Sequence, residues 1–143
     1  MEQFKLDFFK KEHKNLCINF TTLSKIECES AYASFCLSYK MEMQNRNDIF
    51  RLVQNKGHYI NSINAKDDDF NLYLLIHEQN ISQIPTHLNV CWDCFYTIDH
   101  FGFNDLVNYF DYIWYPSVDD IIIFDEACKI CLMVRHDGVI YRL

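Results

Sequence analysis

The amino-acid sequence predicts an α+β fold in which N-terminal helices pack on a C-terminal antiparallel β-meander. Two observations support this class. Helix signals with capping residues dominate the first half of the chain. Short apolar runs separated by tight-turn signals dominate the last third. Helices that precede the strands, instead of alternating with them, are typical of α+β proteins.

The N-terminal segment predicts a helix and then a strand. Residues 1–14 favour a short amphipathic helix, because Phe4, Phe8 and Phe9 share one face and lysines take the other. Residues 16–20 predict a brief strand.

The second helix has a defined start. Ser24 and Glu27 have the spacing of a capping box, in which a hydroxyl and a carboxylate satisfy free N–H groups at a helix start. This spacing predicts a helix over residues 25–39. One side of that helix carries Ile26, Ser30, Ala33 and Leu37.

The middle of the chain predicts one further helix and one ambiguous element. Asp48 can cap a helix over residues 49–56 that stops at Gly57. The three aspartates at 67–69 would favour a helix N-terminus just before residues 70–78. That segment also fits a strand, and periodicity over so few residues leaves both alternatives open.

The last third begins with an alternating run. Residues 88–98 alternate with a period of two, which is typical of a half-buried strand. Asn104 can then cap a short helix that ends near Phe110. Pro116 breaks the chain after it.

Three strands joined by short turns complete the prediction. Residues 120–124 and 128–135 read as strands, with a turn at Asp125 and Glu126 between them. The sequence His-Asp-Gly at 136–138 is a tight-turn signal, and residues 139–143 form the closing strand.

Length and composition predict a single domain over residues 1–143. The chain is 50% hydrophobic, and domains of roughly 100–150 residues are the commonest. Neither a signal peptide nor an apolar run long enough for a membrane span is visible. Seven cysteines without an export signal read as reduced thiols, so we expect a cytoplasmic protein.

Charge is distributed unevenly along the chain. Residues 67–128 carry twelve Asp or Glu and no Lys or Arg, within a net charge of −7. Nucleic-acid binding there is disfavoured, because phosphate contacts need cations. The segment favours a basic partner drawn in by long-range attraction. An acidic, well-solvated surface explains it equally well.

Two CxxC pairs could hold a tetrahedral zinc ion. They are Cys91 with Cys94, and Cys128 with Cys131. Both pairs fall inside strand-like runs, where residues three apart point to opposite faces. We therefore predict buried core thiols, and a small zinc-binding or thiol-dependent protein is the alternative function.

No catalytic motif is present. The six histidines are scattered, and no HExxH, Walker A, GxSxG or EF-hand pattern occurs. We expect no enzyme activity, no cofactor and no metal. Five of the seven residues at 109–115 are aromatic, which fits either core packing or an interface anchor.

The C-terminal third resembles small bacterial immunity proteins. The resemblance rests on the run 110–121 with its aromatic-Pro-Ser-x-Asp-Asp turn, the strand and turn at 123–126, and the hairpin at 135–138. Such proteins accompany polymorphic and contact-dependent growth-inhibition toxins. The resemblance implies a protein that binds its cognate toxin, in many cases a basic nuclease, and blocks it.

These observations predict an immunity protein that covers the active or substrate-binding surface of a basic toxin domain. We expect no nucleic-acid or membrane partner. Carboxylates would steer association, and aromatic side chains would supply the desolvated centre. The predicted partner-binding residues are Asp99, Asp105, Asp111, Tyr112, Trp114, Tyr115, Asp119, Asp120, Asp125 and Glu126.

Overall fold

The computed structural model describes residues 1–78 and 83–143. Within these residues the chain forms six α-helices and one 3-10 helix, Met43–Asp48. None of the described helices is long and apolar enough to cross a membrane. The α-helices are α1 (Gln3–Glu12), α2 (Lys25–Tyr39), α3 (Ile49–Lys56), α4 (Leu72–His77), α5 (Phe103–Asn108) and α6 (Phe110–Ile113).

The strands of the described residues form one antiparallel sheet. Its strand order is β1-β4-β3-β5-β6-β7-β2, and the predicted α+β class is confirmed. The strands are β1 (Phe20–Thr22), β2 (His58–Tyr59), β3 (His87–Asp93), β4 (Thr97–Gly102), β5 (Ile121–Phe124), β6 (Cys131–Val134) and β7 (Ile140–Arg142).

The centre of the sheet is buried on both faces. All four residues of β5 are buried, and so are all four of β6. Ile121 and Ile123 pack into one apolar cluster, whereas Ile122 and Phe124 pack into another on the opposite face. A central strand without a polar side requires a helical layer on each face.

Each face has its own helical layer. On the first face, α2 and α3 contribute the buried side chains Tyr32, Phe35, Ile49 and Val53 to one cluster. The Phe35 ring lies 4.9 Å from that of Phe95 and 5.5 Å from that of Phe124. On the second face, α1, α4, α5 and α6 pack against the sheet through the other cluster.

The local helix signals are mostly confirmed. The capping box forms as predicted: the Ser24 hydroxyl accepts from the Glu27 backbone, and the Glu27 carboxylate accepts from the Ser24 backbone. Helices α1 and α3 also occupy their predicted segments. The ambiguous segment at 70–78 forms helix α4 and not a strand.

Some caps and one strand differ from prediction. The Asp48 side chain makes no capping hydrogen bond. Asn71, and not the aspartates at 67–69, caps α4 by accepting from the Leu74 backbone. Asn104 lies inside α5, which begins one residue earlier. The first strand forms at Phe20–Thr22 instead of residues 16–20.

The side of α2 highlighted by the sequence faces solvent. Ile26 and Leu37 are each 82% exposed. The buried side is formed by Cys28, Tyr32, Phe35 and Cys36.

The run at 88–98 is a hairpin and not one strand. Strands β3 and β4 pair antiparallel and are joined by a turn in which Cys94 and Phe95 adopt φ values of 41° and 64°. Left-handed residues in a two-strand connection are usually Gly, Asn or Asp. Here the buried Phe95 ring, packed against Phe35 and Phe124, holds the turn in place.

The C-terminal meander is confirmed. Strands β5, β6 and β7 pair in sequence order. In the turn between β6 and β7, Gly138 has φ 85°, and a Cβ atom there would collide with the Asn64 side chain. A glycine is therefore required at this position both by backbone conformation and by space.

We predict that Phe124→Ala lowers the free energy of unfolding by about 3–5 kcal/mol, because it removes a ring buried among other aromatic side chains. Phe124 is 1% exposed. Urea denaturation followed by circular dichroism measures the change. Leu37→Ala, at an exposed apolar position, is the control and should stay within about 0.5 kcal/mol. A loss that small for Phe124→Ala would contradict the central position of β5.

Candidate functional site

Four of the ten predicted partner-binding residues are buried, which corrects the prediction for them. Asp99, Trp114, Asp119 and Asp125 are each at most 9% exposed. Their side chains point into the protein and cannot contact a partner in this conformation. Each performs a structural task instead.

Asp99 is a buried acceptor on β4. Its carboxylate accepts from the Thr22 hydroxyl at 2.6 Å and from the Trp92 indole at 2.8 Å, and it contacts the Met1 amino group. A buried carboxylate is tolerated only when hydrogen bonds and an opposite charge replace its hydration. Asp99 thereby ties β1, β3 and the N-terminal residue together.

Asp119 holds helix α1 on the sheet. The Lys5 side chain is fully buried, and its Nζ lies 2.5 Å from Asp119 Oδ2. The ammonium group also lies 4.5 Å from the Trp92 ring centre and 5.3 Å from the Tyr115 ring centre. Aromatic faces attract a desolvated cation, so this ion pair occupies an aromatic enclosure.

Three further predicted carboxylates also bond within the protein. Asp125 accepts from the Lys129 and Ile130 backbone in the turn between β5 and β6. The half-buried Asp105 accepts from the Asn19 backbone at 2.7 Å. Asp120 bonds to the His136 side chain and backbone.

The aromatic run at 109–115 combines core packing with an exposed patch. Trp114 is buried, and its indole donates to the Asp119 carbonyl at 2.9 Å. Tyr112 and Tyr115 are partly exposed and pack against α1. We define the aromatic patch as Tyr112 and Tyr115 together with Phe8 and Phe4, which are 46% and 51% exposed and lie 5.7 and 5.6 Å from these tyrosine rings.

Five exposed carboxylates gather on the same face of the sheet. We define the acidic surface as Asp67, Asp68, Asp69, Glu78 and Asp111. Asp67, Asp68 and Asp111 line a cleft of about 590 Å³ that also contains Phe70 and Lys66. A smaller neighbouring cleft shares Asp67 and adds Asp69 and Glu78. Within residues 1–78 and 83–143, none of the five forms an ion pair.

The acidic surface borders the aromatic patch at helix α6. Asp111 belongs to the first and Tyr112 to the second, and they are consecutive residues of that short helix. Of the predicted partner-binding residues, the structure therefore brings together Asp111, Tyr112 and Tyr115. Glu126 is exposed but lines a cleft on the opposite side of the sheet.

That second cleft was not predicted from the sequence. It has a volume of about 410 Å³ and lies between α2 and the strands β1, β4, β3 and β5. His100 and Glu126 also line an adjoining groove of about 390 Å³. In the cleft, the buried Asn89 and the half-buried His100 are joined by a 2.8 Å hydrogen bond between Asn89 Oδ1 and His100 Nδ1.

Two imidazole rings lie where this cleft meets the adjoining groove. The His87 and His100 rings are stacked, with centroids 4.7 Å apart and planes at 10°. Burial and the neighbouring His87 lower the pKa of His100, against the opposite effect of Glu126 and Glu27. The His100 ring is therefore mainly neutral near pH 7 and can accept a hydrogen bond.

The four CxxC cysteines are not placed as the sequence predicts. Cys91 and Cys131 are buried in strands, but Cys94 and Cys128 lie in turns, where their φ values are positive. Burial raises the pKa of all four thiols. In the described part of the chain, no group of three or more His, Cys, Asp or Glu is arranged to hold a metal ion.

Cys128 lines the same cleft as His100 but is not arranged as a nucleophile. Burial raises the pKa of the Cys128 thiol, against the opposite effect of Ser38. A nucleophilic cysteine needs a lowered pKa and a base within hydrogen-bonding reach. Within the described residues, no hydrogen bond joins this thiol to the imidazole of His100.

Comparisons of the chain with protein-family models, with curated proteins and with solved structures find no match.

We predict that Lys5→Met lowers the free energy of unfolding by about 3–5 kcal/mol, because it leaves the Asp119 carboxylate buried without its cation. The double variant Lys5→Met/Asp119→Asn should lose less than the two single variants combined. Urea denaturation measures all three. Additive losses would show that the two side chains do not interact.

We also predict that the purified protein contains no stoichiometric zinc. Elemental analysis tests this, and a strong chelator should leave the melting temperature unchanged, because zinc bound by four thiolates would be coupled to folding. A bound zinc ion with a chelator-dependent melting temperature would favour the alternative zinc-binding function through Cys91, Cys94, Cys128 and Cys131.

Proposed function

We propose that this protein is an immunity protein that binds a basic toxin domain and covers its active or substrate-binding surface. The contact surface consists of the acidic surface and the aromatic patch. The observation that carries this proposal is the gathering of five exposed carboxylates, none of them in an ion pair among the described residues, beside half-exposed aromatic rings on one face. In this proposal the protein acts in the cytoplasm of the cell that makes the toxin.

The charge of the acidic surface selects the class of partner. Its carboxylates have no ion-pair partner within the residues that the structure describes. They belong to the stretch 67–128, which contains no Lys or Arg. Exposed charges of one sign raise the association rate with an oppositely charged protein. A nuclease domain, whose substrate surface must be cationic to bind phosphates, is such a partner.

The aromatic patch supplies the part of the contact that excludes water. Phe4 and Phe8 expose about half of their surface on α1, although the same helix has a buried side at Phe9. Aromatic residues are enriched at interface hot spots because they bury large areas at low entropic cost. The two half-exposed phenylalanines thus fit the centre of an interface whose rim is acidic.

The resemblance of residues 110–126 and 135–138 to immunity proteins supports the same proposal. In this structure those residues form α6, the turn that carries Asp119, the strand β5 and the hairpin between β6 and β7. The resemblance thus covers structural elements beside the contact surface together with Asp111 and Tyr112. It supports the class of partner and does not define the individual contacts.

The first test is protection. The C-terminal domain of any secreted protein encoded beside this chain is expressed with and without it, and we expect the chain to abolish toxicity and to form a complex with that domain in size-exclusion chromatography. Equal lethality in both cases, without a complex, would contradict the immunity function.

The contact surface is tested by the kinetics of that complex. Asp68→Asn/Asp111→Asn should slow association by about threefold or more at low salt and weaken its salt dependence. Glu27→Gln/Glu126→Gln, which removes the same charge on the opposite side of the sheet, is the matched control. A larger effect of the control would place the contact on the other side.

The aromatic patch should act on dissociation. Phe8→Ala is expected to weaken the complex by about 2 kcal/mol or more, chiefly through a faster off-rate. Leu37→Ala, an equally simple truncation of an exposed apolar side chain on α2, should leave the off-rate unchanged. Surface plasmon resonance measures both, and equal off-rates would remove the aromatic patch from the interface.

A further inference from the structure

The cleft under α2 exists because one side of that helix is small. Ser30, Ala31 and Ser34 face the cleft, whereas Tyr32 and Phe35 fill the space against the sheet on the neighbouring side. Short side chains cannot span the interlayer distance that aromatic rings span. A space of about 410 Å³ therefore remains open above β3 and β4, within the range of small-ligand sites.

The floor of the cleft presents a fixed pair of polar side chains. Asn89 is 4% exposed, and its Oδ1 accepts from His100 Nδ1. With the proton assigned to Nδ1, the His100 Nε2 atom is an acceptor. Among the described residues, the Asn89 amide nitrogen makes no hydrogen bond, and it does not belong to their buried atoms that lack a partner. It therefore faces the open space of the cleft, where it is available to water or ligand.

The charged groups of the cleft are both carboxylates. Glu27 lies on α2 and Glu126 follows β5, and among the described residues neither Lys nor Arg lines the cleft. Burial lowers the pKa of His100, and both carboxylates oppose that shift through charge interactions. Both carboxylates therefore lie close enough to the imidazole to interact with its charge. Lys129 lines only the adjoining groove. Such a lining opposes anions and attracts cations.

The cation that fits is organic and not a metal ion. Within residues 1–78 and 83–143, no three His, Cys, Asp or Glu side chains are placed to coordinate one ion. The lone pairs of imidazole lie in the ring plane, and the His87 and His100 planes are nearly parallel at 4.7 Å. Parallel rings cannot direct their nitrogens at one metal centre.

We propose that this cleft binds a small organic cation through a guanidinium group held between the Glu27 and Glu126 carboxylates. His100 Nε2 accepts one N–H of the cation. The Asn89 amide donates to a carbonyl of the same ligand, and the apolar side chains Leu23 and Phe124 contact its carbon chain. The site is independent of the proposed toxin contact, because it lies on the opposite side of the sheet.

The test uses L-argininamide, which carries a guanidinium, an ammonium and a carbonyl group. L-citrullinamide is the matched probe, because a neutral urea replaces the guanidinium at almost the same shape. Titration is followed by NMR through the Asn89 side-chain amide and the His100 ring protons. We expect saturable shifts of both residues with L-argininamide and binding at least about tenfold weaker with L-citrullinamide, since charge-assisted hydrogen bonds are lost.

The variants locate the site. Glu27→Gln/Glu126→Gln removes both charges, and glutamine at position 27 keeps the capping box of α2. We expect this variant to bind L-argininamide at least about tenfold more weakly at an unchanged melting temperature. Asp68→Asn/Asp111→Asn removes the same charge from the acidic surface and should bind as the parent does.

Three results would overturn the proposal. They are the absence of saturable shifts at millimolar L-argininamide, equal binding of the two probes, and equal losses in the two charge variants. Ser34→Leu gives an independent check, because a larger side chain on the side of α2 that faces the cleft fills it while leaving every charge in place. Unchanged binding in Ser34→Leu would place the ligand elsewhere.

Discussion

The burial of the central strands on both faces is the constraint from which the architecture follows. Strand β5 contains only apolar residues, so neither face of the sheet can meet water at its centre. Antiparallel sheets often leave one face solvated, but this one requires a helical layer on each side. Its edges, in contrast, are the short strands Phe20–Thr22 and His58–Tyr59, and short edge strands limit pairing with other chains.

The second helical layer explains why many of the carboxylates are not available to a partner. Helix α1 is short and carries several lysines, and it stays on the sheet through Phe9 and the buried pair of Lys5 and Asp119. Asp99 and Asp125 satisfy groups in β1, β3 and the β5–β6 turn. The acidic stretch therefore contributes both to folding and to the surface, and only its unpaired members remain available for association.

The parts of the fold that could be predicted from sequence are those with local signals. The capping box at Ser24 and Glu27 places α2 correctly because both hydrogen bonds lie within one turn. The β3–β4 hairpin lacks such a signal, since neither Cys94 nor Phe95 is a usual turn residue. The site depends on contacts between distant residues. Lys5 and Asp119 are 114 positions apart, so the sequence could not show that this carboxylate is buried while others are exposed. The Asn89–His100 pair likewise forms only between two neighbouring strands.

The acidic surface and the cleft under α2 are both negatively charged, and they lie on opposite sides of the sheet. Long-range attraction between exposed charges falls off over a Debye length of about 8 Å at physiological salt, so the carboxylates that face the partner act on it most strongly. Contacts that resist dissociation act only where surfaces touch. The association rate therefore compares the contributions of Asp111 and Glu126, which lie on opposite sides. The off-rate then identifies the side chains that touch the partner on the side that the association rate indicates.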